Sequence, residues 1–245
     1  MDPGPARRGD RAPGRRHDLA RATLEGAAGQ RGLRYRRPRH TLKGRQDAEA
    51  VARVGLRLSL RKQQAQAGDI VLLFVDESEA LTHPYLARAW APRGADLRVP
   101  APARKIAVLG ALDHARRDLV VTTARTKRST DFIGLLERLD GLYGPRPGQP
   151  TKPVVLVLDN GPIHTSKASR AALDARRHWL IVEWLPRYAP ELNDIEGVWR
   201  DLKAHHLAHR TFTELDDLDT TIHDAVANLN HRRQRDPLVS PRISA

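Results

Sequence analysis

Three acidic side chains stand where a folded chain could bring carboxylates to one point: Asp76, Asp159 and Glu196. Asp76 follows IVLLFV (70–75) and Asp159 follows PVVLVL (153–158), each as the first polar residue after an apolar run of strand length. Glu196 lies in LPRYAPELNDIEGVWRDLK (185–203), where Pro186 and Pro190 stiffen the approach to a helical stretch. In open α/β sheets the carboxyl ends of strands are where ligands bind. Unpaired carboxylates gathered there repel one another unless cations intervene. Hard oxygen donors of this kind suit Mg²⁺ or Mn²⁺. Two such ions held about 4 Å apart activate an attacking oxygen and steady a leaving oxygen in phosphodiester displacement. Combined with a surface that binds nucleic acid, such a cluster would point to strand cleavage or transfer.

Each residue also has a plainer reading. Asp76 fits a solvent-facing strand end, and Asp159-Asn160-Gly161 is an ordinary turn sequence. Asn193 is a good N-cap, and Glu196 three residues later completes the spacing of a capping box. Glu196 also precedes Arg200 by four residues, the spacing of a surface ion pair.

The elements that must position these groups can be read around them. Continuous apolar strands imply a sheet covered on both faces, hence an α/β architecture with mixed strand directions. RKIAVLGAL (104–112) and LVVTTA (119–124) form a hairpin, and LIVEWL (180–185) a further strand. DFIGLLERLDGLY (131–143) is an amphipathic helix closed by Gly144 and Pro145, and SKASRAALDARRH (166–178) is helical. Ile195, Val198, Trp199 and Leu202 recur on one face of a helix over 194–208. Residues 213–233 form a last helix. The expected organisation is a basic arm (1–45), a helical connector (46–68), a catalytic domain (69–212) and a C-terminal helix with its tail (213–245).

Charge is unevenly spread: residues 1–45 carry 13 Lys/Arg against 4 Asp/Glu, +9 of the net +13. Residues 1–17, rich in Pro, Gly and Arg, are expected to be disordered, and 31–40 to be a basic extended segment. Such an arm on a nearly balanced body points to a polyanion, most simply nucleic acid, with Arg34, Arg36, Arg37, Arg39 and Lys43 as phosphate contacts. Cysteine is absent, which excludes disulfides and thiolate metal sites. No apolar run approaches the roughly 20 residues of a membrane span, and the basic N-terminus lacks a signal's apolar stretch. The expectation is a soluble intracellular protein that binds no membrane.

Four stretches together resemble the IS630 group of insertion-sequence transposases, within the IS630/Tc1/mariner superfamily. They are DES (76–78), the W-x-P-x-G of Trp90, Pro92 and Gly94, LDNGPIHTSK (158–167) and LPRYAPELNDIEGVW (185–199). The resemblance spans about residues 31–210. It implies an RNase H-like mixed sheet flanked by helices, with Asp76, Asp159 and Glu196 as the metal-binding catalytic triad, and Asn160, His164 and Asn193 in support. It further implies Mg²⁺ or Mn²⁺, with two ions, and double-stranded DNA as partner, through terminal inverted repeats and TA target sites. A homodimer on DNA in the bacterial cytoplasm, at the nucleoid, completes the expectation. The 36 residues between Asp159 and Glu196 suit that group. Two departures stand out: Arg187 and Asp194 occupy positions where the group more usually has proline. The region before the catalytic core is also shorter than the group's helix-turn-helix region, so the chain is expected to be a truncated copy or one frame of a split gene. A copy that only binds DNA or an intact partner, and a stand-alone RNase H-like nuclease, are the rival readings.

Remaining signals are weaker. His205 and His209 stand one helical turn apart but read as a solvated basic face. The four tryptophans are expected in the core, and Gly141, Gly144 and Gly148 lack the strand-to-helix setting of a nucleotide loop.

Overall fold

The computed structural model describes residues 43–83, 104–148, 150–208 and 210–235. The chain divides into two units, residues 1–41 and 42–245, and the description concerns the second. Arg34, Arg36, Arg37, Arg39, Trp90, Pro92, Gly94 and His209 lie outside the described residues, as do the stretches 1–17, expected to be disordered, and 31–40, expected to be extended. Of Lys43 only the backbone, in a short 3-10 turn, is described.

A long helix, α1 (Ala48–Ala67), opens the unit; Asp47 caps it by accepting from the Ala50 N–H at 3.0 Å. It ends at Gly68, whose φ of 85° lies in the left-handed region that glycine enters without strain. Then follow β1 (Val71–Leu81), β2 (Lys105–Asp113), β3 (Leu119–Ala124), α2 (Ser129–Tyr143) and β4 (Val154–Leu158). The chain continues through a one-turn helix α3 (Pro162–Thr165), α4 (Lys167–Ala175), β5 (Leu180–Trp184), α5 (Ile195–Asp201) and α6 (Leu215–Arg235).

The five strands form one mixed sheet in the order β3-β2-β1-β4-β5. β1, β2 and β3 form an antiparallel meander, whereas β4 joins β1, and β5 joins β4, in parallel. Strand alternation divides the core between the two faces. Leu72, Phe74, Val155 and Val157 pack with α1, α5 and α6; Leu73, Val75, Leu156 and Leu158 pack with α2 and α4. The hairpin, the helix closed by Gly144 and the strands over 154–158 and 180–184 lie where the sequence places them.

Three expectations change. The first strand does not end at Asp76 but runs to Leu81, because β2 continues to pair with it after β4 has stopped at Phe74. The helix expected over 194–208 is α-helical only to Asp201; Leu202–His206 is wound as a π-helix, with the Leu207 N–H donating to the Leu202 carbonyl at 3.1 Å. The helix expected from 166 to 178 starts at Lys167, with Ser166 as its N-cap accepting from the Ser169 N–H, and ends at Ala175.

Candidate active site

Asp76 lies within β1, two residues beyond the last parallel pair, Phe74 with Val157. Relative to β4 it is therefore past a strand end, although β2 still flanks it through the register Asp76–Gly110. Period-two alternation sends Asp76 to the α5 side and its neighbour Glu77 to the α2 side. Asp159 is the first residue after β4. Glu196 belongs to the first turn of α5. All three line one cleft of about 390 Å³, whose opposite wall is the loop Leu185–Pro190.

Helix α5 is fixed to the sheet by Trp199 and Ile195, both buried, which pack over Gly110. A methyl group at Gly110 would stand 2.5 and 2.8 Å from two Trp199 ring carbons, so glycine is required by close approach. Because Gly110 is the register partner of Asp76, this contact sets how α5 approaches the first carboxylate.

The capping box is not formed. The helix begins at Ile195, with Asp194 at its boundary and no side-chain cap. Asn193 turns inward instead: its Nδ2 donates to the Val75 carbonyl at 3.2 Å, beside Asp76. A local cap has yielded to a tertiary hydrogen bond, and Glu196 is left to face the cleft. Asp194 is held by Lys62 Nζ of α1 at 2.7 Å and by His114 Nδ1 at 3.1 Å. Burial would raise its pKa, but these two partners overcome that and hold it below the usual aspartate value.

His164 is fully buried, with Nδ1 2.7 Å from Asp159 Oδ1 and Nε2 3.0 Å from Glu77 Oε1. The second approach is a close ionic contact rather than an aligned hydrogen bond. Burial opposes the charged ring, but the Asp159 and Glu77 carboxylates outweigh it and raise its pKa to about 9. The hydrogen bond from His164 in turn lowers the pKa of Asp159, with the Gly161 N–H at 2.8 Å adding to it. Asp76 has no such support. Burial, then Glu196, Glu77 and Asp159, push it up to about 7, against a small opposing effect from the Glu77 backbone. Asn160 Nδ2 donates to the Leu185 carbonyl at 2.6 Å and so ties the Asp159 turn to the cleft's far wall.

Among the described residues no three His, Cys, Asp or Glu side chains are drawn into a closed metal cage. The three carboxylates are spread along an open cleft. Sequence reading missed Glu77, whose role is signalled only by its place on the other face of β1. It also missed Gly110, whose role depends on which helix crosses it. Trp179 and Trp199 are buried as expected, and Trp184 is partly so. Among the described residues no helix is long and apolar enough to cross a membrane.

Residues 71–219 match the family described as DDE superfamily endonuclease. No curated protein matches the chain in sequence. Among solved structures, a Mos1 transposase paired-end complex with left transposon end is 17% identical with a TM-score of 0.58, covering 95% of this chain and 80% of that one. A pre-cleavage Mos1 transpososome is 18% identical with a TM-score of 0.59, covering 89% and 71%. The Mos1 catalytic domain with raltegravir and Mg is 18% identical with a TM-score of 0.53, covering 80% and 93%. At these identities the likeness shows a shared fold, the RNase H-like mixed sheet flanked by helices.

Proposed function

Because the chain belongs to the DDE superfamily endonucleases, we propose that it is a DNA transposase whose triad is Asp76, Asp159 and Glu196. The observation that carries this reading is the cleft itself: three carboxylates from β1, the end of β4 and the start of α5 line one wall-to-wall space. The donor set fits divalent cations. Asp76 is raised to about 7 partly by the other carboxylates, a repulsion that a cation among them would relieve. Mg²⁺ or Mn²⁺, as a pair, would be held by these three residues and would supply Lewis-acid polarisation at the scissile phosphodiester. Solved Mos1 complexes described as containing Mn and Mg support the same class of ion here.

The chain's own groups do the positioning. His164 holds Asp159 from behind, Asn193 secures the start of α5 to β1, and Asn160 sets the spacing to the loop 185–190. In the proposed reaction water attacks phosphorus at the element end and a 3′-hydroxyl leaves. That hydroxyl then attacks a target phosphodiester, forming one P–O bond as another breaks. The basic arm, with Arg34, Arg36, Arg37, Arg39 and Lys43, would hold the DNA backbone. The motif set favours the IS630 group, with TA target sites, a homodimer on DNA and a place at the bacterial nucleoid. Mos1 complexes with transposon-end and strand-transfer DNA support the choice of partner.

The test is cleavage of a labelled duplex bearing the element's terminal repeat, with and without Mg²⁺. Metal-dependent nicking by wild type, lost in Asp159→Asn, is expected. Nicking that persists without divalent metal, or in the variant, would sink the assignment.

A further inference from the structure

The loop facing the carboxylates carries an unusual residue. Tyr188 has φ of 62°, in the left-handed region that bulky side chains rarely adopt. The residue is 42% exposed, yet it belongs to the lining of the cleft. Strained conformations of this kind persist only where the surroundings over-determine them. Here they do: Gln46 Nε2 donates to the Tyr188 carbonyl and, at 2.9 Å, to Glu191 Oε1. Asn160 secures Leu185 at the loop's other end, and Ala189 is buried beneath it.

The backbone is thus pinned while the ring is not. Among the described residues the Tyr188 side chain has no hydrogen-bond, ring-stacking or ionic partner. The fold holds an aromatic face open at the mouth of the cleft, at a position where glycine would be unstrained. The cleft's two sides differ in kind: an acidic floor of Asp76, Asp159 and Glu196, and a wall on which Pro186, Tyr188 and Pro190 offer apolar surface. A phosphodiester bound at those carboxylates would have its adjoining base within reach of the same cleft's apolar surface. Aromatic rings there bind unpaired bases without regard to sequence, since every base has a π-face.

We propose that Tyr188 is a stacking platform for an unpaired nucleobase next to the phosphodiester being processed. This rests on the DNA-cleaving function proposed above, and it assigns the cleft a second subsite, specific for single-stranded or frayed DNA ends. Exposed Arg187, its neighbour, stands on the same wall for the backbone of that strand.

The test uses the full chain and a forked duplex with 2-aminopurine in its unpaired arm, with Ca²⁺ in place of Mg²⁺. Fluorescence quenching on binding reports stacking whether or not the triad cuts, so a failed triad assignment would leave this signal untouched. Wild type and Tyr188→Phe should quench the probe. Tyr188→Ala and Tyr188→Gly should not, and should bind the forked duplex about ten- to a hundredfold more weakly, with fully paired duplex affected much less. Tyr188→Gly should melt close to wild type, since the strain it relieves offsets the limited packing of a half-exposed ring. Quenching that survives in Tyr188→Ala would overturn the proposal. So would a Tyr188→Gly variant that melts well below wild type, because the ring would then be serving the fold.

Discussion

Gly110→Ala adds one methyl group beneath Trp199. The added carbon would stand 2.5 Å from one ring carbon and 2.8 Å from another, with Ile195 Cδ1 at 3.3 Å. Carbon pairs rest at about 3.5–4.0 Å, so the ring must retreat by roughly 1 Å. Trp199 and Ile195 both belong to α5, and Glu196 lies between them in sequence, so the carboxylate moves with the ring. Overpacking of this size costs about 1–3 kcal/mol, or roughly 2–12 °C in melting temperature for a chain of this length. The effect on reaction should be larger, since about 1 Å of misplacement at reacting groups can cost on the order of 10²-fold. Trp199→Phe removes the ring atoms that clash. It should destabilise the protein alone but restore part of both losses when combined with Gly110→Ala. Thermal melts and Mg²⁺-dependent nicking rates of the four proteins make a double-mutant cycle, with an expected coupling of about 0.5–3 kcal/mol. Strict additivity, or wild-type nicking by Gly110→Ala, would refute the idea that this contact sets the position of Glu196.

The other expectations concern charge. Asp76→Asn, Asp159→Asn and Glu196→Gln should each abolish Mg²⁺-dependent nicking while keeping a wild-type circular dichroism spectrum; a variant that still nicks at near-normal rate removes its residue from the triad. The raised pKa of Asp76 gives stability that is complete below about 3.8 and is lost as pH rises through about 7. Without metal, Asp76→Asn should therefore melt above wild type at pH 8 and match it at pH 4, by up to about 4 kcal/mol at 1.36 kcal/mol per pH unit; parallel melting curves would contradict this. His164→Asn should shift the Mg²⁺ requirement of nicking upward by about 10–100-fold, as expected for a partner that orients a ligand; an unchanged Mg²⁺ titration would make His164 a core residue only. Deleting residues 1–45 should reduce the slope of log affinity against log salt, since +9 of the net +13 lies there; an unaltered slope would make the arm a bystander.

Much of the sheet was legible because its signals are local. An unbroken apolar run marks β4, a mostly apolar one marks β5, and Gly144 marks a helix end. What was not legible depends on partners distant in sequence. The length of β1 beyond Asp76 is set by pairing with Lys105–Gly110, and the polar residues DES gave no sign of it. Asn193 has the composition of an N-cap, yet a buried carbonyl, Val75, competes for its amide and wins. That Asp76, Asp159 and Glu196 could meet was legible from their positions after strands and at the start of a helix, and all three line one cleft. Their unequal electrostatics could not, because the bond from His164 to Asp159 and the isolation of Asp76 arise only when β1, β4 and α3 meet.

The stretch Asn193-Asp194 has the backbone of a proline dipeptide without the proline. Asp194 has φ of −59°, within the range a pyrrolidine ring would fix, and Asn193 is extended at φ −101° and ψ 100°, as a residue before proline must be. Where the resembled group more usually has the ring, this chain has a carboxylate clamped by Lys62 and His114. A ring restrains the chain in every solvent, folded or unfolded. An ionic clamp restrains it only in the folded state, weakens as salt is added, and lets go when acid protonates Asp194. The stiffness of the turn before Glu196 therefore depends on solution conditions, and α1, which supplies Lys62, helps to set it.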